Sequence, residues 1–140
     1  MDVYVLSLIN HTKGEIPIAI GTNFAEAIKG ICSFTRPILS FNRYIFKIGK
    51  EMFMVRKMQI EESPNIVVIS KLNRDDGSQS IFGVASSESK AYRFIKKFID
   101  ISSINTDDVD GTRTVVGNAV ELSINDNDTK DVYFVRSFTV

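Results

Sequence analysis

The sequence is poor in the residues that carry chemistry. Cys32 is the one cysteine, which excludes an intrachain disulfide and fits a reducing cytoplasm. His11 is the one histidine, so neither a cluster of imidazoles for a metal nor the partners of a nucleophilic triad are at hand. Lys+Arg and Asp+Glu stand at 17 each, and this balance excludes a global field toward nucleic acid or a membrane surface. No run approaches the roughly 20 apolar residues of a membrane helix. The opening "MDVYVLSLIN" has an acid at position 2 and no basic n-region, so it reads as a strand and not as a signal peptide. There is no G-x-x-x-x-G-K-[ST], no G-x-G-x-x-G and no G-x-S-x-G, which leaves nucleotide hydrolysis, dinucleotide binding and α/β-hydrolase chemistry without a motif. No cofactor is expected.

What is present is repetition. "VLSLINHTKG", Val5 to Gly14, returns as "VISKLNRDDG", Val68 to Gly77, with Val5/Val68, Ser7/Ser70, Asn10/Asn73 and Gly14/Gly77 identical. Ile20 then meets Val84, Ala27 meets Ala91, Ile31 meets Ile95, and Phe34 meets Phe98. Near the ends "FMVRKMQI" from Phe53 matches "YFVRSFTV" from Tyr133, sharing Val55/Val135 and Arg56/Arg136. Such self-similarity bears on any reading of the fold.

Each copy begins with an alternating strand, Val3–Ile9 or Ile66–Leu72, and a polar turn closed by glycine. A second strand, Ile16–Ile20 or Ile81–Val84, leads to capping residues and a helix. Asn23 and Glu26 have capping-box spacing. Apolar spacing predicts helices near 23–34 and 87–100, burying Phe24, Ala27, Ile28 and Ile31 in one and Ala91, Phe94, Ile95 and Phe98 in the other. A hairpin turning at Gly49–Lys50 closes the first copy. The second inserts the polar stretch "SSINTDDVDGTR" and then a hairpin of Thr114–Ile124 with Val132–Val140. Pro64 marks the seam. The expected fold is α+β: two repeated β-β-α-β-β units, 1–63 and 64–140, each an antiparallel sheet with one helix, packed as a pseudo-twofold intramolecular dimer.

The order hairpin, "GVASSESKAYRFIKKF" and closing strand "VYFVRSFTV" resembles small bacterial and phage ββαβ-type domains of unknown function. Those typically read as a hairpin, a Ser-Ser-Glu helix start, a charged helix and an aromatic final strand. The second copy follows that pattern over most of its length, whereas the first has "GTNFAEA" at the helix start. The resemblance implies a compact fold and an accessory role, and no catalytic residue.

His11 reads as a turn residue, matched by Arg74, and Cys32 as a buried structural thiol. The acidic segments "NTDDVDG" and "NDNDTKD" fail the EF-hand pattern: with Gly111 at position 6, Gly117 falls where the bidentate glutamate belongs. They read as solvated turns. No metal site is expected.

Two basic surfaces are candidates for binding. One is the hairpin "FNRYIFKIGKEMFMVRK", where Arg43, Lys47, Lys50 and Arg56 interleave with Tyr44, Phe46 and Phe53. Alternation allows rings in the core and charges in water, or rings and charges together on a single-stranded nucleic acid surface. The other is the second helix, with Lys90, Arg93 and Lys97 at i, i+3 and i+7. The expected function is a non-enzymatic phage or bacterial accessory protein that binds and modulates a host protein or complex in the cytoplasm. The alternative is a module for nucleic acid or a nucleotide, using the basic–aromatic hairpin.

Overall fold

Apolar residues at consecutive positions in "VYVLSL" and "NIVVIS" mark strands with two buried faces, and these two segments form the centre of the molecule. The computed structural model describes residues 1–31, 38–40, 43–73, 75–102, 110–116, 119–126 and 129–139. In chain order the elements are β1 (Asp2–Asn10), β2 (Gly14–Gly21), α1 (Phe24–Ile28), β3 (Ile38–Ser40), β4 (Arg43–Ile48) and β5 (Glu51–Gln59). They continue with β6 (Asn65–Leu72), β7 (Gln79–Ala85), α2 (Glu88–Ser102), β8 (Asp110–Val116), β9 (Ala119–Asp126) and β10 (Thr129–Thr139).

This architecture corrects the expected fold class. The protein is mostly β, and the strands form one mixed ten-stranded sheet in the order β3-β4-β5-β1-β2-β7-β6-β10-β9-β8. It is not built from two β-β-α-β-β units with a separate antiparallel sheet and a helix each. Three physical causes account for the difference. First, β2 and β7 run parallel and pair at Gly14 and Gln79, with the Gln79 N–H donating to the Lys13 carbonyl at 2.7 Å, which joins the strands into one sheet. Second, part of the polar insertion becomes strand: Asp110–Arg113 pairs with Asn125–Leu122 of β9. The expected strand Thr114–Ile124 is thus two strands, with Gly117-Asn118 in the sequence between them. Third, α1 has only five residues and ends before Gly30, since glycine costs about 1 kcal/mol in a helix interior.

The sheet does not lie flat. Val3 and Val5 of β1 pack with Ile66 and Val68 of β6, although two strands separate β1 from β6 in the sheet order. Strands spaced about 4.8 Å apart would put these side chains out of contact in a flat sheet. The sheet therefore folds across the β2–β7 joint, and β1–β5 face β6–β10. On the outer face of β1–β5, α1 covers Leu6, Phe46, Phe53 and Val55. On the outer face of the other half, α2 covers Val67, Ile69, Leu122 and Tyr133. The layers run helix, sheet, sheet, helix.

The helices differ in how they are held. Asn23 caps α1 by accepting the Glu26 N–H at 2.8 Å, and Ser87 accepts the Lys90 N–H at 3.2 Å at the start of α2. Ala91 and Ile95 are fully buried, whereas Ile31 lies past the end of α1 and is only partly covered. Phe94, expected in the core, is 45% exposed, with its ring edge-on against Phe82 of β7. Cys32 and the side chain of Phe98 lie outside the described residues.

Candidate functional site

Polar residues on the inner faces of the folded sheet come first. Val3, Val5 and Ser7 share one face of β1, and Ile66, Val68 and Ser70 share one face of β6. Arg56 stands level with Val5, and Glu15 stands level with Ile9, on the two strands that flank β1. Arg56 donates through Nε to Glu15 Oε2 at 2.6 Å and through Nη2 to Oε1 at 2.9 Å. This bidentate pair crosses β1 at Ser7, where a small side chain leaves room. In the other half Arg136 is level with Val68, and Gln79 with Leu72. Arg136 Nη1 donates to Gln79 Oε1 at 3.1 Å, crossing β6 at Ser70, and its guanidinium lies 5.6 Å from the Phe134 ring centre. Burial pushes the Arg136 pKa down from its ordinary value. The hydroxyls of Ser7 and Ser70 are buried and have no hydrogen-bond partner among the described residues.

The hairpin turns build two clefts. Asn10 Oδ1 accepts the N–H groups of Thr12 and Lys13 at 2.9 and 3.1 Å, and Gly14 completes the turn at φ +77°. Because β1 pairs with β5, Ile9 faces Met52, and the β1–β2 turn comes to lie beside the Gly49–Lys50 turn. Together they enclose a cleft of about 310 Å³ lined by Asn10, His11, Lys47, Lys50 and Glu51, with Leu8 and Met52 as apolar lining. Lys47, Lys50 and His11 are all exposed there.

The second cleft, about 380 Å³, is lined by Lys71, Asn73, Asp75, Ser80 and Asp131. Its turn is built the same way: Asn73 Oδ1 accepts the Asp75 N–H at 2.9 Å, and Gly77 has φ +73°. Asp76 beside it accepts from the Ser78 hydroxyl at 2.6 Å and from the Ser78 N–H at 2.9 Å, which holds its carboxyl below the usual range. The first cleft sets two lysines against one glutamate, and the second sets two aspartates against one lysine. The Lys13–Gln79 bond holds the two turns side by side, so both clefts lie at one end of the sheet, its rim.

The candidate residues separate into three groups. Lys47 and Lys50 come together and gain His11, which the turn reading left aside. Arg56 is committed to Glu15, and Arg43 stands opposite it on β4. Lys90 pairs with Glu61, which also accepts from Ser86 at 2.7 Å, and these bonds lower the Glu61 pKa. Arg93 and Lys97 are exposed on α2, in the half opposite the first cleft. The aromatic residues of the hairpin join the core under α1 and do not line the cleft of Lys47 and Lys50: Phe46 and Phe53 are buried and stack at 5.7 Å, and Tyr44 packs on Phe24 at 5.0 Å.

Sequence reasoning missed Glu15 and the acidic cleft. Glu15 follows Gly14 in "KGEIPI" as a lone acid, and only the β1–β5 and β1–β2 registers bring it to Arg56. Among the described residues, no group of three or more His, Cys, Asp or Glu is placed to hold a metal ion. No helix among them is long and apolar enough to cross a membrane. Compared with family models, curated proteins and solved structures, the chain shows no match.

Proposed function

We propose that this chain is a non-enzymatic binding module, an accessory protein of phage or bacterial type that modulates a host protein. Its cationic cleft takes an acidic segment of that partner. The observation that carries the reading is the convergence of Lys47, Lys50 and His11 on one cleft with apolar lining. Lysine ammonium groups on a concave surface steer and orient a carboxylate-bearing segment, while Leu8 and Met52 offer contact to its apolar side chains. The burial of Phe46 and Phe53 favours this over a single-stranded nucleic acid, which needs exposed rings as well as cations.

The test uses a fluorescein-labelled oligo-glutamate peptide and a labelled single-stranded oligonucleotide against parent and Lys47→Glu/Lys50→Glu protein. Binding is measured by anisotropy at low and high salt. The expected result is salt-sensitive peptide binding by the parent and a loss of about tenfold or more in the double mutant. Equal peptide binding by both proteins would overturn the assignment of the cleft. Tighter binding of the oligonucleotide, lost in the same mutant, would move the function to nucleic acid.

A further inference from the structure

The two clefts lie at the same rim of the sheet, are lined by described residues of opposite dominant charge and flank the joint between β2 and β7. A surface with a positive cleft on one side and a negative cleft on the other is complementary to itself. A twofold axis lying in the plane of the rim and running between the clefts places the positive cleft of each copy over the negative cleft of the other. Such a contact is isologous and closes at two copies. We infer that the rim is a self-recognition surface and that its occupant is a second copy of this chain. Lys47 and Lys50 of one protomer then face Asp75 and Asp131 of its partner, and the same pairs form again across the axis.

Several features of the rim suit this use. Its turns carry their own hydrogen bonds: Asn10 Oδ1 accepts the Thr12 N–H and Asn73 Oδ1 accepts the Asp75 N–H, and Gly14 and Gly77 hold left-handed φ. The Asp76 carboxylate, kept ionised by Ser78, adds negative charge at the tip beside the acidic cleft. Among the described lining residues the first cleft has Lys47 and Lys50 against Glu51, and the second has Asp75 and Asp131 against Lys71, so the dominant signs are opposite. The inference rests on the cationic cleft being the binding surface, as proposed above. It adds a regulatory consequence: an acidic segment of a host protein competes with the second copy for Lys47 and Lys50.

The experiment is sedimentation velocity on the full chain at low and high salt, with two charge-reversed variants. One is Lys47→Glu/Lys50→Glu and the other Asp75→Lys/Asp131→Lys, each checked for a parental far-UV spectrum. The expected result is a parent that dimerises at low salt and dissociates at high salt, with each variant alone monomeric. An equimolar mixture of the two variants should form a heterodimer, because reversing opposite clefts restores attraction at both contacts. A parent that stays monomeric at low salt, variants that dimerise as the parent does, or a mixture that stays monomeric would each overturn the inference. If the aspartate variant does not fold, a lysine variant that dimerises like the parent at low salt is sufficient to overturn it, and one that is monomeric supports it. Oligo-glutamate binding to the aspartate variant separates the two readings. That variant keeps its cationic cleft, so retained peptide binding beside a monomeric parent removes self-recognition and leaves the proposed function standing.

Discussion

Arg56 and Arg136 sit at corresponding places on β5 and β10, yet they keep different company. Arg56 meets a carboxylate in a bidentate pair, whereas Arg136 meets the amide of Gln79 and the face of Phe134. One half of the sheet thus closes its inner face with a neutral pair. The other closes it with a cation whose charge is opposed by no carboxylate among the described residues. The helices and turns diverge in the same manner. One frame of strands supports a long helix anchored by the buried Ala91 and Ile95 in one half and a single short turn of helix in the other. It also carries a cationic cleft on one side of the joint and an acidic one on the other. The strand pairings set where these features stand, and individual substitutions on the faces set what each one does.

The sharpest way to test this contrast is at the helices. Ile95→Ala should cost about 2–5 kcal/mol, as expected for a large aliphatic in a filled core. Ile31→Ala, at a partly covered position, should cost about 1 kcal/mol. Urea unfolding of the two variants checks this, and equal losses would show that both halves are supported alike.

The turns should rank next. A Cβ on Gly14 would lie 2.3 Å from the Gln79 carbonyl oxygen, while one on Gly77 meets nothing within 4 Å. Both residues have positive φ, so alanine at either pays the left-handed strain of about 1–2 kcal/mol. Gly14→Ala adds the overpacking, for a total of about 2–4 kcal/mol. Thermal melts of the two single variants should show the larger drop for Gly14→Ala, and a matching drop would remove the joint as a tight point.

The arginine pairs can be exchanged. Glu15→Gln gives Arg56 the company that Arg136 has, and should cost about 1–2 kcal/mol through loss of a charged, largely buried bidentate partner. Gln79→Glu gives Arg136 a carboxylate and should stabilise by about 1 kcal/mol. Chemical denaturation of both variants reads the pair of effects, and the comparison fails if they share a sign.

The smallest effect at neutral pH belongs to Tyr133. Burial, with the nearby Asp131 carboxylate adding to it, pushes its phenol up to about 12, and its hydroxyl has no partner among the described residues. The folded state therefore holds the proton longer than the unfolded chain does. The stability linked to this group is complete below about pH 10 and falls as pH rises from about 10 to 12. Tyr133→Phe should change stability by about 0.5 kcal/mol or less at pH 7 and flatten the alkaline fall. Unfolding measured across that window checks it, and an unchanged slope would locate the alkaline loss elsewhere.

Much of the local structure could be read from sequence, for local reasons. Alternation, Asn-led turns and closing glycines place the β1–β2 and β6–β7 hairpins, and Ser87 with its following apolar spacing places α2. What could not be read depends on distant partners. Asp110–Arg113 has the composition of a loop and becomes strand because β9 offers it a ladder. The joining of β2 to β7 is decided by how two apolar faces meet, and no pattern in either strand announces it. Lys47 and Lys50 were visible as charges, but His11 and Glu15 acquire meaning only when β1 pairs with β5, some fifty residues away.

The single parallel contact between β2 and β7 also governs how the molecule assembles. Among the described residues every other strand pairing lies wholly within β1–β5 or wholly within β6–β10, so each set can zip up without waiting for the other. Until they dock, the faces carrying Val3, Val5, Ile66 and Val68 remain open to any matching surface. Residues 60–64 tether the two sets, and so short a tether holds the correct partner at a millimolar-scale effective concentration. A neighbouring chain can compete only when the protein itself approaches that concentration. Below it, the short connection keeps the apolar docking within one chain, and contacts of that kind are indifferent to salt.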